Sequence, residues 1–269
     1  MSDLSFKDYL NKVQERCSRS GWQKMCSQVK QSPKYRGRNP VDFEGITLMT
    51  PMGGFDPHAG ELYAQLSQVQ ALIKHKYQST LIPVPENTFH ITGADLIAGP
   101  RFDEYTRQSS SVETYIEHVK GRLASLPLKH SFSDTISAQP SSCLWSYYGL
   151  TLFETALVAL LIPQNEESYQ SVVHLRNTLY SNETLLDLGI RRPLPFMAHV
   201  TLAYFDGPPP YPQLEELTQD LLPFSKENLT QEITYAWSCL QLHRFPHMEV
   251  YHGLPLSFSL SSKALHSSA

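Results

Sequence analysis

The chain has 269 residues, 41% of them hydrophobic and 18% charged, an ordinary globular composition with enough apolar residues for a sizeable core. Its formal net charge is -4 and its pI about 6.2, so no overall basic field exists to hold a long duplex, and a nucleotide ligand has to be small or engaged by a local patch. No apolar run approaches the roughly 20 residues that cross a bilayer, and MSDLSFKDYL lacks the basic start and apolar stretch of a signal peptide, so no membrane association is expected. Cys17, Cys26, Cys143 and Cys239 are scattered without CxxC spacing, which suits reduced, packed thiols and a cytosolic compartment.

Phe6, Leu10, Val13 and Cys17 recur at helical spacing after Ser5, a good N-cap, and Trp22, Met25, Cys26 and Val29 repeat the pattern beyond Gly21. The spacing predicts two helices within an N-terminal extension over residues 1–40, ended by Pro33. The main domain is expected over residues 41–260, opening with a strand at residues 45–50 (GITLMT). Leu62, Leu66, Val69 and Ile73 mark a helix with Lys74, His75 and Lys76 in its last turn, where cations suit the helix dipole. Residues 80–84 read as a short extended run, residues 88–92 (TFHIT) as a strand, and Gly99–Pro100 as a break.

A helix follows over residues 112–123. Residues 129–142, rich in Ser, Thr and Pro, read as a loop and a candidate lid. Residues 144–152 and 155–162 are near-continuously apolar, as strands in the middle of a sheet are. Residues 166–189 give one or two helices capped by Gly189, and residues 196–205 (FMAHVTLAYF) a further strand. Leu214, Leu217 and Leu221 mark a last helix, Ile233, Tyr235, Trp237 and Cys239 alternate as a strand, and so do Leu256, Phe258 and Leu260. Residues 261–269 read as a disordered tail.

Two of these strands carry the same pattern. Side chains alternate faces on a strand, so Phe89 and Ile91 point one way and His90 and Thr92 the other; Ala198, Val200 and Leu202 likewise oppose His199 and Thr201. With 11 histidines and 16 threonines in the chain, about 0.65 HxT occurrences arise by chance, and about 0.2 once an aliphatic middle residue and a strand are required. Two such sites outweigh coincidence. Each also follows a proline-rich approach, PVPENTFHIT and PLPFMAHVT, which points to an internal duplication.

The paired motif, 109 residues apart (199 − 90), resembles that of the two-histidine (2H) phosphoesterase superfamily. The order SPKYRG, GITLMTP, PVPENTFHIT is similar to a bacterial subgroup known mainly as a domain of unknown function. The resemblance spans about residues 40–260. It implies an α+β fold of two antiparallel-sheet lobes with pseudo-twofold symmetry around a cleft, helices outside, and metal-independent cleavage of phosphodiesters. The catalytic pair by motif position is His90 and His199, with Thr92 and Thr201 binding the phosphate.

The residue types suit that chemistry. Phosphodiester hydrolysis needs a base for water and an acid for the departing oxygen, and histidine serves as either near neutrality. A threonine hydroxyl on the same strand face, roughly 6 to 7 Å along, can donate to a non-bridging oxygen. Arg191 and Arg192 are candidate phosphate contacts, and Tyr204, Tyr148 and Trp145 candidate base-stacking residues. His243, His247, Glu249 and His252 match no ligand spacing, so neither a metal nor a cofactor is expected. The expected partner is a small nucleotide or RNA-terminal phosphodiester, foremost a 2′,3′-cyclic phosphate, taken by a monomer. Alternatives are 2′,5′-linked or cyclic oligonucleotides, a binding protein without turnover, and a zinc hydrolase using the C-terminal histidines.

Overall fold

The computed structural model describes residues 2–131, 143–228 and 231–260. The expected tail at 261–269 and most of the expected lid at 129–142 lie outside them. In chain order the elements are α1 (Phe6–Cys17), α2 (Arg19–Cys26), β1 (Tyr35–Arg36), β2 (Asn39–Pro40), β3 (Gly45–Met49), α3 (Gly60–Lys76), β4 (Leu81–Pro83), β5 (Thr92–Ala98), α4 (Pro100–Arg107), α5 (Val112–Ala124) and β6 (His130–Ser131). There follow β7 (Leu144–Phe153), β8 (Ala156–Pro163), α6 (Glu166–Tyr180), α7 (Glu183–Asp187), β9 (His199–Phe205), α8 (Tyr211–Leu221), β10 (Thr234–Ala236), β11 (Cys239–His247) and β12 (Val250–Ser259).

Two five-stranded antiparallel sheets form the body, in the orders β10-β7-β8-β9-β4 and β5-β3-β11-β12-β6. The first carries His199, the second Thr92. Neither sheet is built from one half of the chain. β4, from the first half, pairs with β9 at the edge of the second motif's sheet, and β11 and β12, from the C-terminal part, lie in the first motif's sheet. The chain therefore crosses from sheet to sheet between β4 and β5, and His90 sits on that crossing.

Local sequence explains most elements. Ser5, Ser18, Ser111 and Asn165 each accept a hydrogen bond at a helix N-terminus. Gly189, past α7, adopts φ +79°, a conformation glycine takes without steric cost. β8 is buried at seven of eight positions, as its apolar run requires.

Four expectations change. The first HxT strand begins at Thr92, because residues 86–88 form a 3-10 turn after Pro85, closed by Thr88 N–H donating to the Pro85 carbonyl at 2.9 Å. Gly99–Pro100 starts a helix, α4, since proline at a first helical position has no hydrogen bond to lose. The alternating run from Ile233 to Cys239 is split, with β10 in one sheet and β11 in the other. The His-rich run is the β11–β12 hairpin.

The N-terminal helices are integral to the core: Tyr9, Val13 and Trp22 are fully buried, and Trp22 Nε1 donates to the Leu150 carbonyl at 2.9 Å. Cys17, Cys26 and Cys143 are also buried. Among the described residues no helix is long and apolar enough to cross a membrane.

Candidate active site

The second motif follows directly from strand geometry. Ala198, Val200 and Leu202 are fully buried, while His199 and Thr201 are half-buried on the opposite face. Pairing with β8 sets their register, Leu160 opposite His199 and Val158 opposite Thr201. The approach to the motif is held by the N-terminal segment. The Ala198 N–H donates to Tyr9 Oη at 3.1 Å, Tyr9 Oη donates to the Leu161 carbonyl at 2.6 Å, and the Phe196 N–H donates to Asp3 Oδ1 at 2.7 Å.

The first motif has the same alternation, with Phe89 and Ile91 buried and His90 and Thr92 half-buried. Its supports differ. The Ile91 N–H donates to Thr50 Oγ1 at 2.9 Å, the Thr50 N–H returns to the Ile91 carbonyl at 3.0 Å, and the Gly53 N–H donates to the Phe89 carbonyl at 2.8 Å. Gly53 has φ +42°, and a Cβ there would lie 2.7 Å from the Asn87 carbonyl oxygen, so the turn passes beneath the motif only as glycine.

Both imidazoles are fixed in one way. His90 Nδ1 lies 2.6 Å from the Thr88 carbonyl and His199 Nδ1 lies 2.8 Å from the Met197 carbonyl. A carbonyl only accepts, so each Nδ1 carries the hydrogen and each Nε2 is left as the working nitrogen. Each ring also meets an aromatic edge-on at 4.9 Å between centroids, Tyr251 for His90 and Phe153 for His199.

His90, Thr92, His199 and Thr201 line one cleft of about 150 Å³. Burial pushes the His90 imidazolium down to about 4, with the His243 and His199 charges acting in the same sense against the Thr88 carbonyl. Burial also lowers His199, opposed by the Met197 carbonyl and the Asp95 carboxylate and assisted by Lys34.

Of the other candidates, Tyr204 lines the cleft and four residues do not. Arg192 is spent on an ion pair with Asp3 and a 2.7 Å hydrogen bond to Asn177 Oδ1. Arg191 is exposed outside the cleft. Trp145 is fully buried, packed edge-on against Tyr9, Phe196 and Trp237. Tyr148 lies under the Lys226 ammonium, 4.7 Å from its ring centroid, in a separate depression.

Sequence reasoning missed the two charged residues of the cleft, Lys34 and Asp95. Lys34 Nζ donates to Tyr204 Oη at 3.2 Å and stands 4.9 Å from that ring's centroid and 5.4 Å from that of Phe43. Among the described residues no carboxylate pairs with it, which leaves its charge for an anion. Asp95, exposed on β5, lines the same cleft. Lys34 stood in the SPKYRG stretch, where a lysine beside a turn carries no signal of its own. Among the described residues no three His, Cys, Asp or Glu side chains are grouped so as to hold a metal ion, the C-terminal histidines included.

No family model matches the sequence, and no curated protein matches it. Solved structures do. ATU0111 from Agrobacterium tumefaciens, a conserved protein of unknown function, is similar at TM-score 0.55 and 14% identity, over 90% of this chain and 97% of that one. LigT of E. coli is similar at TM-score 0.47 and 15% identity, over 82% of this chain and 99% of its own, too loose a likeness to carry an argument. The chain therefore shares its fold with ATU0111, an α+β body of two antiparallel sheets with helices outside.

Proposed function

We propose that the chain is a metal-independent phosphodiesterase acting on a small nucleotide or RNA-terminal phosphodiester, foremost a 2′,3′-cyclic phosphate. The observation that carries this is the convergence of both HxT motifs on one cleft, each histidine presenting Nε2 and each pair including a half-buried threonine.

In this reading the phosphate sits between Thr92 and Thr201, whose hydroxyls donate to non-bridging oxygens as charge grows on them, with Lys34 beside them as the cation that binds the phosphate. His90, neutral at neutral pH, takes a proton from water at Nε2 as the water oxygen bonds to phosphorus. The bond from phosphorus to the leaving oxygen breaks, and that oxygen takes a proton from His199 Nε2. Asp95 favours the protonated form of His199, and the bound anion adds to that bias.

The test is turnover of 2′,3′-cyclic, 3′,5′-cyclic and 2′,5′-linked nucleotides in excess chelator, wild type beside His90→Ala and His199→Ala. Turnover by wild type and loss in both variants supports the proposal. Activity that survives either substitution sinks the site assignment, and binding without turnover favours a nucleotide-binding protein.

A further inference from the structure

Thr92 and Asp95 both line the cleft although they stand three residues apart on β5, a spacing that puts side chains on opposite faces of a regular strand. β5 is not regular. Against β3, Met49 pairs with Thr92 and Leu48 with Ala94, which leaves Gly93 over; Thr47 then pairs with Asp95 and Ile46 with Ile97, which leaves Leu96 over. Each extra residue is a bulge, and a bulge re-aims the side chains beside it. The displaced backbone is secured from outside the ladder. Arg176 Nη1 donates to the Gly93 carbonyl at 2.9 Å, Thr47 Oγ1 to the Ala94 carbonyl at 3.2 Å, and Tyr180 Oη to the Asp95 carbonyl at 2.6 Å. Three side chains thus hold the residue that turns a carboxylate toward the cleft.

A carboxylate is out of place in a site for an anion unless its repulsion is useful. Asp95 is exposed, and among the described residues no cation pairs with it. Its charge reaches both imidazoles. At the start of the reaction Lys34 and the protonated His199 supply two positive charges and Asp95 one negative, so the cleft carries one net positive charge. That matches a phosphodiester, whose phosphate has a single negative charge. Proton transfer leaves the balance of the cleft unchanged, since His90 gains a proton as His199 gives one. The ligand has changed. A phosphomonoester loses its last proton near pH 6 and carries about two negative charges at neutral pH, and the added charge faces Asp95.

We infer that Asp95 sets the charge selectivity of this site, admitting a monoanionic diester and expelling the dianionic monoester that hydrolysis leaves. The inference rests on the phosphodiesterase reading above and adds to it the step that clears the cleft for the next turnover. Support of His199 by the same carboxylate is a separate effect. It acts on every bound anion alike, whereas selection changes the ratio between two anions of different charge.

The experiment measures, by calorimetry at pH 7.5 and fixed ionic strength, the Kd of a 2′-deoxynucleoside 3′-phosphate and of its methyl ester, in wild type, Asp95→Asn and Asp95→Glu. The two ligands share a nucleoside and differ by one negative charge. Wild type is expected to bind the dianionic monoester no more tightly than the methyl ester. Asp95→Asn should shift the ratio toward the monoester by roughly tenfold, and Asp95→Glu should keep the wild-type ratio. Asp95 is exposed and unpaired, so neither variant disturbs the core, and a thermal melt checks folding of both. Turnover of the nucleotide panel is followed on the same preparations. A wild type that turns over the panel yet prefers the monoester, or a ratio that Asp95→Asn leaves unmoved, overturns the selector and leaves the phosphodiesterase reading standing. A wild type that neither turns over the panel nor binds either ligand overturns both.

Discussion

Arg176 donates from Nη1 to the carbonyl oxygen of Gly93 at 2.9 Å, a buried bond from α6 to the residue that follows Thr92. The same guanidinium donates from Nη2 to the Leu194 carbonyl at 2.9 Å and from Nε to Asp3 Oδ2 at 2.9 Å. One side chain therefore ties the first motif to the approach of the second, with its charge matched by Asp3. Burial pushes the Asp3 carboxyl up, but Arg176, the Phe196 N–H and Arg192 outweigh it and hold it below the ordinary range. Asp3→Ala leaves buried guanidinium charge without its partner and is expected to destabilise the protein by about 3–5 kcal/mol, as judged by urea denaturation. A change within a few tenths of a kcal/mol would show the clasp to be dispensable.

His90→Ala and His199→Ala each remove a proton-transfer group. Each is expected to lower kcat by about 10² to 10⁴, and the double variant by less than the product of the two. Single-turnover kinetics in excess chelator reads this without interference from product release.

The pH profile follows from the depressed histidines. His90 has to be neutral, and its value of about 4 sets the acid limb of kcat/KM, where activity falls as pH drops. His199 has to be protonated, and in the free protein burial holds it below the ordinary 6.5, so activity falls as pH rises through that lowered value. The optimum for kcat/KM is therefore expected on the acidic side of neutrality. An optimum above pH 8 would show that two histidines with lowered pKa values do not govern the reaction.

The same shift bears on stability. An unfolded chain protonates His90 at about 6.5, whereas the folded one waits until about 4, so acidification between those values favours unfolding. His90→Gln removes that term. The loss of Tm from pH 7 to pH 4.5 should be smaller in this variant than in wild type.

Thr92→Val and Thr201→Val keep the strand shape and delete a hydroxyl donor. Each is expected to reduce kcat by about 10²- to 10³-fold, with serine restoring most of it. Lys34→Ala should act chiefly on KM, since its charge meets the phosphate in ground and transition states alike. Steady-state kinetics on the best substrate of the panel separates the two patterns.

The sequence by itself determined which side chains share a face. Alternation about Ile91 and Val200 put His90 with Thr92 and His199 with Thr201, and the helical repeat marked α1, α3 and α5, because burial of one face is a local property of the repeat. Only the tertiary structure decided what those faces meet. The crossing from β4 to β5 sets the two motifs across one cleft, and the turn at Gly53 and the Asp3–Arg176 clasp hold them there through residues far away in the chain. It also assigned the charges. Arg192, beside the second motif in sequence, is consumed by Asp3, while Lys34, 165 residues before His199 (199 − 34), stands in the cleft with no carboxylate beside it among the described residues. Sequence neighbours on a loop can point anywhere, and whether a cation is available to a ligand depends on which carboxylates the fold brings to it.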